Sequence, residues 1–269
     1  MLHKRHVPNF LTLVNLSLGL ASIAFSGFYN FQQASWCIFF AALFDLLDGM
    51  AARMLKAQSA VGKELDSMAD LVSFGVAPGM LMFTLTWDKA YMFREWPGFQ
   101  YELYVVVASC LLIPVFTAIR LARFNVDPVK RKHFRGLPSP ANGMLIATVP
   151  FVLEFSFYEA KAESFLLNSY TVLAFNLILC YLLVSHLPML SLKPKSLRFS
   201  EVRFHLALLV LSIPLVAIFR FASAPIIFVL YVIFSQMDAL LNPDRSAALL
   251  EQMEVVSATR KTRPDDEPR

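Results

Sequence analysis

Charged residues are scarce in this chain. Asp, Glu, Lys and Arg make up 16% of its 269 residues, whereas 57% of the residues are hydrophobic and the mean hydropathy is +0.56. A typical soluble domain holds about 25% charged and about 45–50% apolar residues. The composition therefore excludes an ordinary soluble domain of this size. It predicts an integral membrane protein that is surrounded by membrane lipids.

Cysteine and histidine are also few, and their spacing excludes two kinds of site. Cys37, Cys110 and Cys180 stand singly in apolar runs without a C-x-x-C spacing, and no two of the five histidines lie four residues apart. Neither a disulfide framework nor a zinc site is therefore expected. The formal net charge of +4 is small. We attribute it to membrane topology and expect no nucleic-acid partner.

Eight apolar runs are long enough, at about 20 residues each, to cross a membrane as helices. Only four of the 24 basic residues, Lys89, Arg94, Lys161 and Arg220, fall in segments on the side opposite the N-terminus. The positive-inside rule then places the N- and C-termini in the cytoplasm. Without a visible organelle-targeting extension, a prokaryotic plasma membrane is the expected location. The runs centre on Leu18, Phe40, Gly75, Leu111, Pro150, Asn176, Ser212 and Leu230.

Four aspartates lie inside the second and third apolar runs. Asp45 and Asp48 belong to one predicted helix, and Asp66 and Asp70 belong to the next. A carboxylate at the centre of a membrane helix costs roughly 2.5 to 3.5 kcal/mol on insertion scales. Four such groups close together need compensating charge. Function, rather than fold, must explain their presence.

The two acidic segments are expected to face each other. Helices at roughly 32–56 and 63–84, joined by a short loop, would form an antiparallel hairpin with the carboxylates toward the cytoplasmic side. At ~100° per residue, each pair of aspartates shares an arc of about 100° with small residues. Small residues allow close approach of membrane helices and leave room for a substrate. The small residues on these arcs are Gly49, Ala52, Gly62 and Ala69.

An all-oxygen ligand set without Cys or His selects Mg²⁺, Mn²⁺ or Ca²⁺ over zinc. Two divalent ions would match four aspartates in charge. Paired metals serve phosphoryl displacement, because they clamp the attacked phosphate and stabilise the leaving oxygen. The pattern therefore indicates an enzyme that acts on a phosphate anhydride at the membrane surface. Structural ion pairs or a cation pathway are the alternative interpretation of the same residues.

The aspartates belong to the pattern D-x2-D-G-x2-A-R-x8-G-x3-D-x3-D. This pattern resembles the signature of the CDP-alcohol phosphatidyltransferase family, and eight fixed positions make it specific. The matching residues are Asp45, Asp48, Gly49, Ala52, Arg53, Gly62, Asp66 and Asp70. The resemblance implies transfer of a phosphatidyl group from a CDP-linked lipid to an alcohol, with release of CMP. It also implies a homodimer and a six-helix catalytic core.

That core would cover residues 1–186, followed by two additional transmembrane helices in 187–240 and a polar cytoplasmic tail in 241–269. By the resemblance, the four aspartates would bind two divalent cations, Mg²⁺ or Mn²⁺, and Asp70 would also take the proton from the acceptor hydroxyl. CDP-diacylglycerol would lie against Gly49, Ala52, Arg53 and Gly62. Asn9 and Thr12, near the start of the first helix, are further candidates for nucleotide contact, with helix capping as an equal alternative.

Three further stretches are similar to the phosphatidylserine synthase branch of the family: P-N-F-L-T-L-V-N-L from Pro8, L-D-S-M-A-D-L-V-S-F-G-V-A-P from Leu65, and R-L-A-R-F-N from Arg120 with F-R-G-L-P-S-P-A from Phe134. L-serine is the acceptor that this similarity implies. Arginine binds carboxylates bidentately, which suits a zwitterionic acceptor. The candidate serine-binding residues are Arg120, Arg123, Asn125, Arg135 and Ser139, with Arg123 the first choice.

Prolines 138 and 140 would hold Ser139 and Asn142 in place at the start of the fifth helix. For each arginine of the candidate serine site, topological anchoring is the alternative role. Glycerol 3-phosphate or an inositol phosphate is the alternative acceptor within the family. A divalent-cation transporter is the alternative class, although transporters place their sites near the midplane between repeats.

Overall fold

The computed structural model describes residues 2–57, 59–92, 99–126, 136–155, 166–185, 187, 199–220 and 223–241. These residues form ten α-helices and one short π-helical segment. The helices are α1 (Leu2–Gly27), α2 (Phe31–Met54), α3 (Ala60–Leu71), α4 (Ala77–Met92), α5 (Phe99–Val126), α6 (Ser139–Ala147), α7 (Val149–Phe155), α8 (Ser169–Val184), α9 (Phe199–Phe219) and α10 (Ser223–Leu241). The π-helical segment, Val72–Val76, joins α3 to α4.

The helices confirm the all-α membrane class. Four described segments are long and apolar enough to cross a membrane: His6–Gly27, Phe31–Met54, Ala60–Asp88 and Leu103–Val126. Shorter apolar helices follow at Ser169–Val184, Leu206–Phe219 and Ser223–Asp238. Each of the eight predicted runs has its centre in a helical segment. The fifth run is divided at Thr148 into α6 and α7, because its helical hydrogen bonding is interrupted there.

The third predicted helix is less regular than the sequence indicates. Five residues directly after Asp70 and Leu71 form the π-helical segment, which widens the turn and is a frequent feature of functional sites. Ser73 in this segment donates its hydroxyl to the backbone oxygen of Asn15 on α1, at 3.0 Å. The rotation of 100° per residue assumed for a regular α-helix therefore does not apply beyond Leu71. The predicted acidic face of this helix holds only within α3.

Helix α1 is the central packing partner of the acidic helices. It contacts α2, α3, the π-helical segment and α4, whereas α3 contacts α1 and α5 more extensively than it contacts α2. A Cβ on Gly62 would lie 3.1 Å from Oδ1 of Asn9, and a Cβ on Gly19 would lie 2.9 Å from Cα of Ser73. Of the small residues predicted to bring α2 against α3, Gly62 thus admits α1 instead, while Gly19 of α1 admits the π-helical segment.

Two apolar clusters surround this arrangement. One joins α2 to α4 and α6 through Ile38, Phe74, Leu81 and Ala147. The other joins α4, α5, α6 and α8, and includes fully buried Ile113. Large apolar side chains are also exposed on the outer faces of the helices, as expected for surfaces that face lipid.

Helices α9 and α10 pack on each other, and α10 also contacts α6. The predicted division into a core, two additional helices and a tail is compatible with this order but stays a prediction. Residues 242–269, which make up nearly all of the predicted tail, lie outside the described residues.

Candidate active site

Three carboxylates converge from the C-terminal part of α2 and from α3. One oxygen each from Asp45, Asp48 and Asp66 lies within 4.8 Å of the others. Asp45 and Asp48 share a face because they are three residues apart on α2, and α3 supplies Asp66. Asp48 is buried, while Asp45 and Asp66 are half-buried. The group is spaced so that a single cation can contact all three residues.

Asp70 lies one turn further along α3, outside this group of three. Its side chain is 9% exposed. It interacts electrostatically with Asp45, Asp48 and Asp66, so all four predicted aspartates belong to one charged region. Its predicted share in metal binding stays a prediction. Its predicted role as the base also stays a prediction.

Helix α1 supplies polar partners to two of the aspartates. The Thr12 hydroxyl lies 2.7 Å from Oδ2 of Asp48, closer than its alternative acceptor, the Pro8 carbonyl, at 3.0 Å. Nδ2 of Asn15 donates to Oδ1 of Asp70 at 3.4 Å. Both side chains are buried, and the three-residue spacing places them on one face of α1. The helix therefore orients one carboxylate in each acidic segment.

Asn15 was absent from the predicted site. Its spacing in the sequence could have identified it. Polar residues recur every three positions at Asn9, Thr12 and Asn15, which forms a polar stripe on an otherwise apolar helix. Asn9 is half-buried and close to Gly62, whose backbone N–H donates to the Ser59 hydroxyl at 3.0 Å. The polar stripe of α1 thus faces α3 at Asn9 and Asn15 and α2 at Thr12.

Within the described part of the chain, no Lys or Arg forms a salt bridge with any of the four aspartates. Two nearby cations have other partners: Arg53 donates from Nε to the Gly49 carbonyl at 2.9 Å, and Lys63 donates from Nζ to the Asn125 carbonyl at 3.0 Å. Oδ1 of Asp66 is buried without a hydrogen-bond partner. The clustered oxygens, without a salt bridge to any described Lys or Arg, fit hard divalent cations and disfavour the structural ion-pair interpretation.

Open space adjoins the acidic end of α2. A Cβ on Gly49 would meet nothing within 4 Å, and Arg53, one turn later, is exposed. Ala52 is half-buried on the same helix. Of the residues predicted to line the CDP-lipid site, Gly49 directly follows Asp48 and leaves room beside it.

Among the arginines predicted to bind the acceptor, Arg120 has the position that best fits that role. Its charge interacts with Asp70, and its Nη1 donates to the Ser139 hydroxyl at 2.9 Å. Its Nε is buried without a partner. Ser139 is buried at the start of α6. The structure thus brings Arg120 and Ser139 together beside Asp70.

The other candidate acceptor residues have different partners. Exposed Arg123 donates to the Val184 carbonyl at the end of α8, at 3.4 Å. Asn125 donates its amide to the Ser67 hydroxyl of α3 at 2.7 Å. Arg135 lies outside the described residues. The geometry therefore favours Arg120 over Arg123 as the cation beside the site, and gives Asn125 a contact between α3 and α5.

Comparison with known proteins agrees with this geometry. The CDP-alcohol phosphatidyltransferase profile matches residues 5–184. The chain belongs to that family. The match contains the four aspartates, Arg120 and Ser139, and it ends at the last residue of α8. Family membership makes the protein a membrane transferase and sets the transporter alternative aside.

Relatives from several organisms carry one name, CDP-diacylglycerol–serine O-phosphatidyltransferase. The protein of that name from Helicobacter pylori strain J99 is 30% identical over 251 residues, which cover 89% of this chain and 96% of the relative. The Bacillus subtilis strain 168 protein is 35% identical over 147 residues, 54% of this chain and 76% of the relative. The Saccharomyces cerevisiae protein is 33% identical over 170 residues, 54% of each chain.

Proposed function

We propose that this enzyme transfers the phosphatidyl group of CDP-diacylglycerol to the hydroxyl of L-serine, giving phosphatidylserine and CMP. The names of its relatives support this acceptor. The observation that carries the proposal is the position of Arg120, which interacts with Asp70 and is hydrogen-bonded to Ser139. A guanidinium beside a buried carboxylate base suits an acceptor that has both a hydroxyl and a carboxylate.

Asp45, Asp48 and Asp66, with Asp70 beside them, would hold two divalent cations, Mg²⁺ or Mn²⁺. When bound, such ions neutralise the diphosphate and stabilise the phosphate of the departing CMP. Thr12 holds the Asp48 carboxylate in its orientation through the 2.7 Å hydrogen bond. The protein thus prearranges its acidic oxygens before the lipid arrives, which lowers the cost of reorganisation during reaction.

Asp70 takes the proton of the serine hydroxyl. The hydroxyl oxygen then forms a bond to the phosphorus that carries diacylglycerol, and the bond from that phosphorus to the CMP oxygen breaks. Asn15 orients Asp70 through its 3.4 Å hydrogen bond. Arg120 holds the serine carboxylate, and Ser139 fixes the guanidinium. A positioned base contributes about 10²–10⁴-fold to such a step.

The nucleotide end of CDP-diacylglycerol lies in the open space beside Gly49, within reach of Ala52, Arg53, Gly62 and Asn9. Arg123 and Asn125 support the acceptor site through α8 and α3, and Arg135 is a further proposed ligand of the acceptor. The reaction takes place at the cytoplasmic face of a prokaryotic plasma membrane, with both termini in the cytoplasm, because the basic residues concentrate on that side. The enzyme works as a homodimer.

One assay tests this proposal. Purified protein in detergent is given CDP-diacylglycerol and Mn²⁺ or Mg²⁺, with L-serine, glycerol 3-phosphate or inositol phosphate in parallel, and CMP release is measured. We expect release to depend on serine. Asp70→Asn should lose at least about 100-fold in rate because the base is removed. Asp88→Asn, a change in α4 away from the acidic cluster, is the control and should keep activity.

Turnover with a phosphorylated acceptor instead of serine would refute the serine assignment and keep the family chemistry. Full activity of Asp70→Asn would refute the role of Asp70 as base. Metal binding without release of CMP from CDP-diacylglycerol, whichever acceptor is present, would refute the proposed reaction altogether.

A further inference from the structure

Asn142 is a fully buried residue for which the reaction described above has no use. It lies in the first turn of α6, with 0% of its surface exposed. Neither Nδ2 nor Oδ1 of its side chain has a hydrogen-bond partner among the described residues. A buried amide that leaves both polar atoms unpaired is destabilising, so such a residue requires a reason other than folding.

The surroundings of Asn142 connect it to the acceptor site. Ser139 precedes it by three residues, which puts both residues on one face of α6. Ser139 accepts the hydrogen bond from Arg120, whose own Nε is also buried without a partner. The neighbouring residue, Gly143, packs against the backbone of Phe74. A Cβ on Gly143 would lie 3.2 Å from Cα of Phe74. Phe74 follows Asp70 by four residues.

A second buried asparagine shows what a structural role looks like in this protein. Asn176 on α8 is also 0% exposed and also has an unpartnered Oδ1. Its Nδ2, however, donates to the Ser109 hydroxyl at 3.0 Å and contacts Sγ of Cys110 at 3.5 Å. Asn176 therefore joins α8 to α5, whereas the Asn142 side chain joins its helix to no other described residue by a hydrogen bond.

We propose that Asn142 binds the charged headgroup of the acceptor, beside Arg120 and Ser139. Its amide N–H donates to the acceptor carboxylate, and its carbonyl oxygen accepts from the acceptor ammonium. A side-chain amide offers a donor and an acceptor together, which matches a zwitterion. A phosphorylated polyol has no ammonium to donate. The identity of the headgroup as serine rests on the function proposed above, and Asn142 would favour serine over such polyols.

The test compares Asn142→Leu with Asn176→Leu, since Leu keeps the branched shape of Asn without its polar atoms. Thermal unfolding in detergent and the KM values for serine and CDP-diacylglycerol are measured for both. Asn142→Leu should keep or raise the Tm and raise the serine KM about tenfold or more, at an unchanged KM for CDP-diacylglycerol. Asn176→Leu should lower the Tm at an unchanged serine KM. If Asn142→Leu fails to fold, Asn142→Ala is expected to show the same rise in serine KM.

A serine KM within about twofold of the wild-type value in a folded Asn142 variant would overturn the inference. Loss of even one hydrogen bond to a charged group should raise the KM about tenfold. The failure of the proposed function would look different: wild-type protein would release CMP with another acceptor and not with serine. In that case, a raised KM for that acceptor in the Asn142 variant would still support headgroup binding, and an unchanged KM would refute it.

Discussion

Thr12→Val isolates the contact between α1 and the candidate metal ligands. Thr12 is 3% exposed, and its hydroxyl lies 2.7 Å from Oδ2 of Asp48. Valine has the same branched shape but lacks the hydroxyl, so the change removes the hydrogen bond with little change in packing volume. Asp48 then keeps its place on α2 but loses the donor that fixes its orientation. The perturbation therefore acts on one carboxylate of the three-residue group.

The expected effect is on metal affinity. A hydrogen bond to a charged group contributes about 1.5–3 kcal/mol. Removal of a residue that orients a metal ligand typically costs about 10–100-fold in affinity or activity, or about 1.4–2.7 kcal/mol. The two ranges overlap. We therefore expect the Mn²⁺ concentration for half-maximal CMP release to rise about 10–100-fold, with activity largely recovered at saturating Mn²⁺.

The assay has two readouts, which are CMP release against Mn²⁺ concentration and Mn²⁺ binding to the protein without substrate. Thr86→Val is the matched control, because Thr86 is also 3% exposed but donates to the Met82 carbonyl of its own helix, at 2.7 Å. Thr12→Ser keeps a hydroxyl and should restore most of the affinity. If Thr12→Val binds Mn²⁺ as tightly as wild type, the contact between α1 and Asp48 does not hold a metal ligand.

Two further predictions concern packing and acceptor binding. Gly19→Ala should destabilise the protein by about 1–3 kcal/mol, since the added Cβ would lie 2.9 Å from Cα of Ser73. The control is Gly27→Ala on the same helix, whose Cβ meets nothing within 4 Å and should not lower the Tm. Equal Tm values for the two variants would contradict the close approach of Gly19 to Ser73. Arg120→Met should raise the serine KM about tenfold or more, because its guanidinium is a charged hydrogen-bonding partner, while Arg123→Met should change it less than about threefold. The reverse order of KM values would show that Arg123 is the acceptor ligand.

The acidic cluster was predictable because its information is local. Residues three or four apart on a helix share a face, whatever the helix packs against. The spacing of Asp45 and Asp48, and of Asp66 and Asp70, therefore defines two acidic faces independently of the surrounding helices. The small number of positive charges near them in sequence indicates cations from outside the chain. The structure agrees, since no described Lys or Arg forms a salt bridge with these aspartates.

The π-helical segment shows where local periodicity stops being informative. A regular helix through Val72–Val76 was the natural expectation, since those residues are apolar or small. The wider turn coincides with a contact to another helix, in which Ser73 bonds to the Asn15 carbonyl and lies against Gly19. Such a contact pairs residues more than 50 positions apart. The periodicity of neighbouring residues in the sequence therefore cannot predict it.

The sequence by itself determined the membrane class, the order of the helices, the four aspartates and the family, since each depends on composition or on fixed spacing along the chain. Tertiary structure alone decided which helix orients the aspartates, and which of two arginines on the same helix lies beside Asp70. Arg120 and Arg123 are three residues apart and similar in sequence context. Their roles differ because Arg120 contacts α6 and Arg123 contacts α8. Such contacts between helices depend on residues that are distant in sequence.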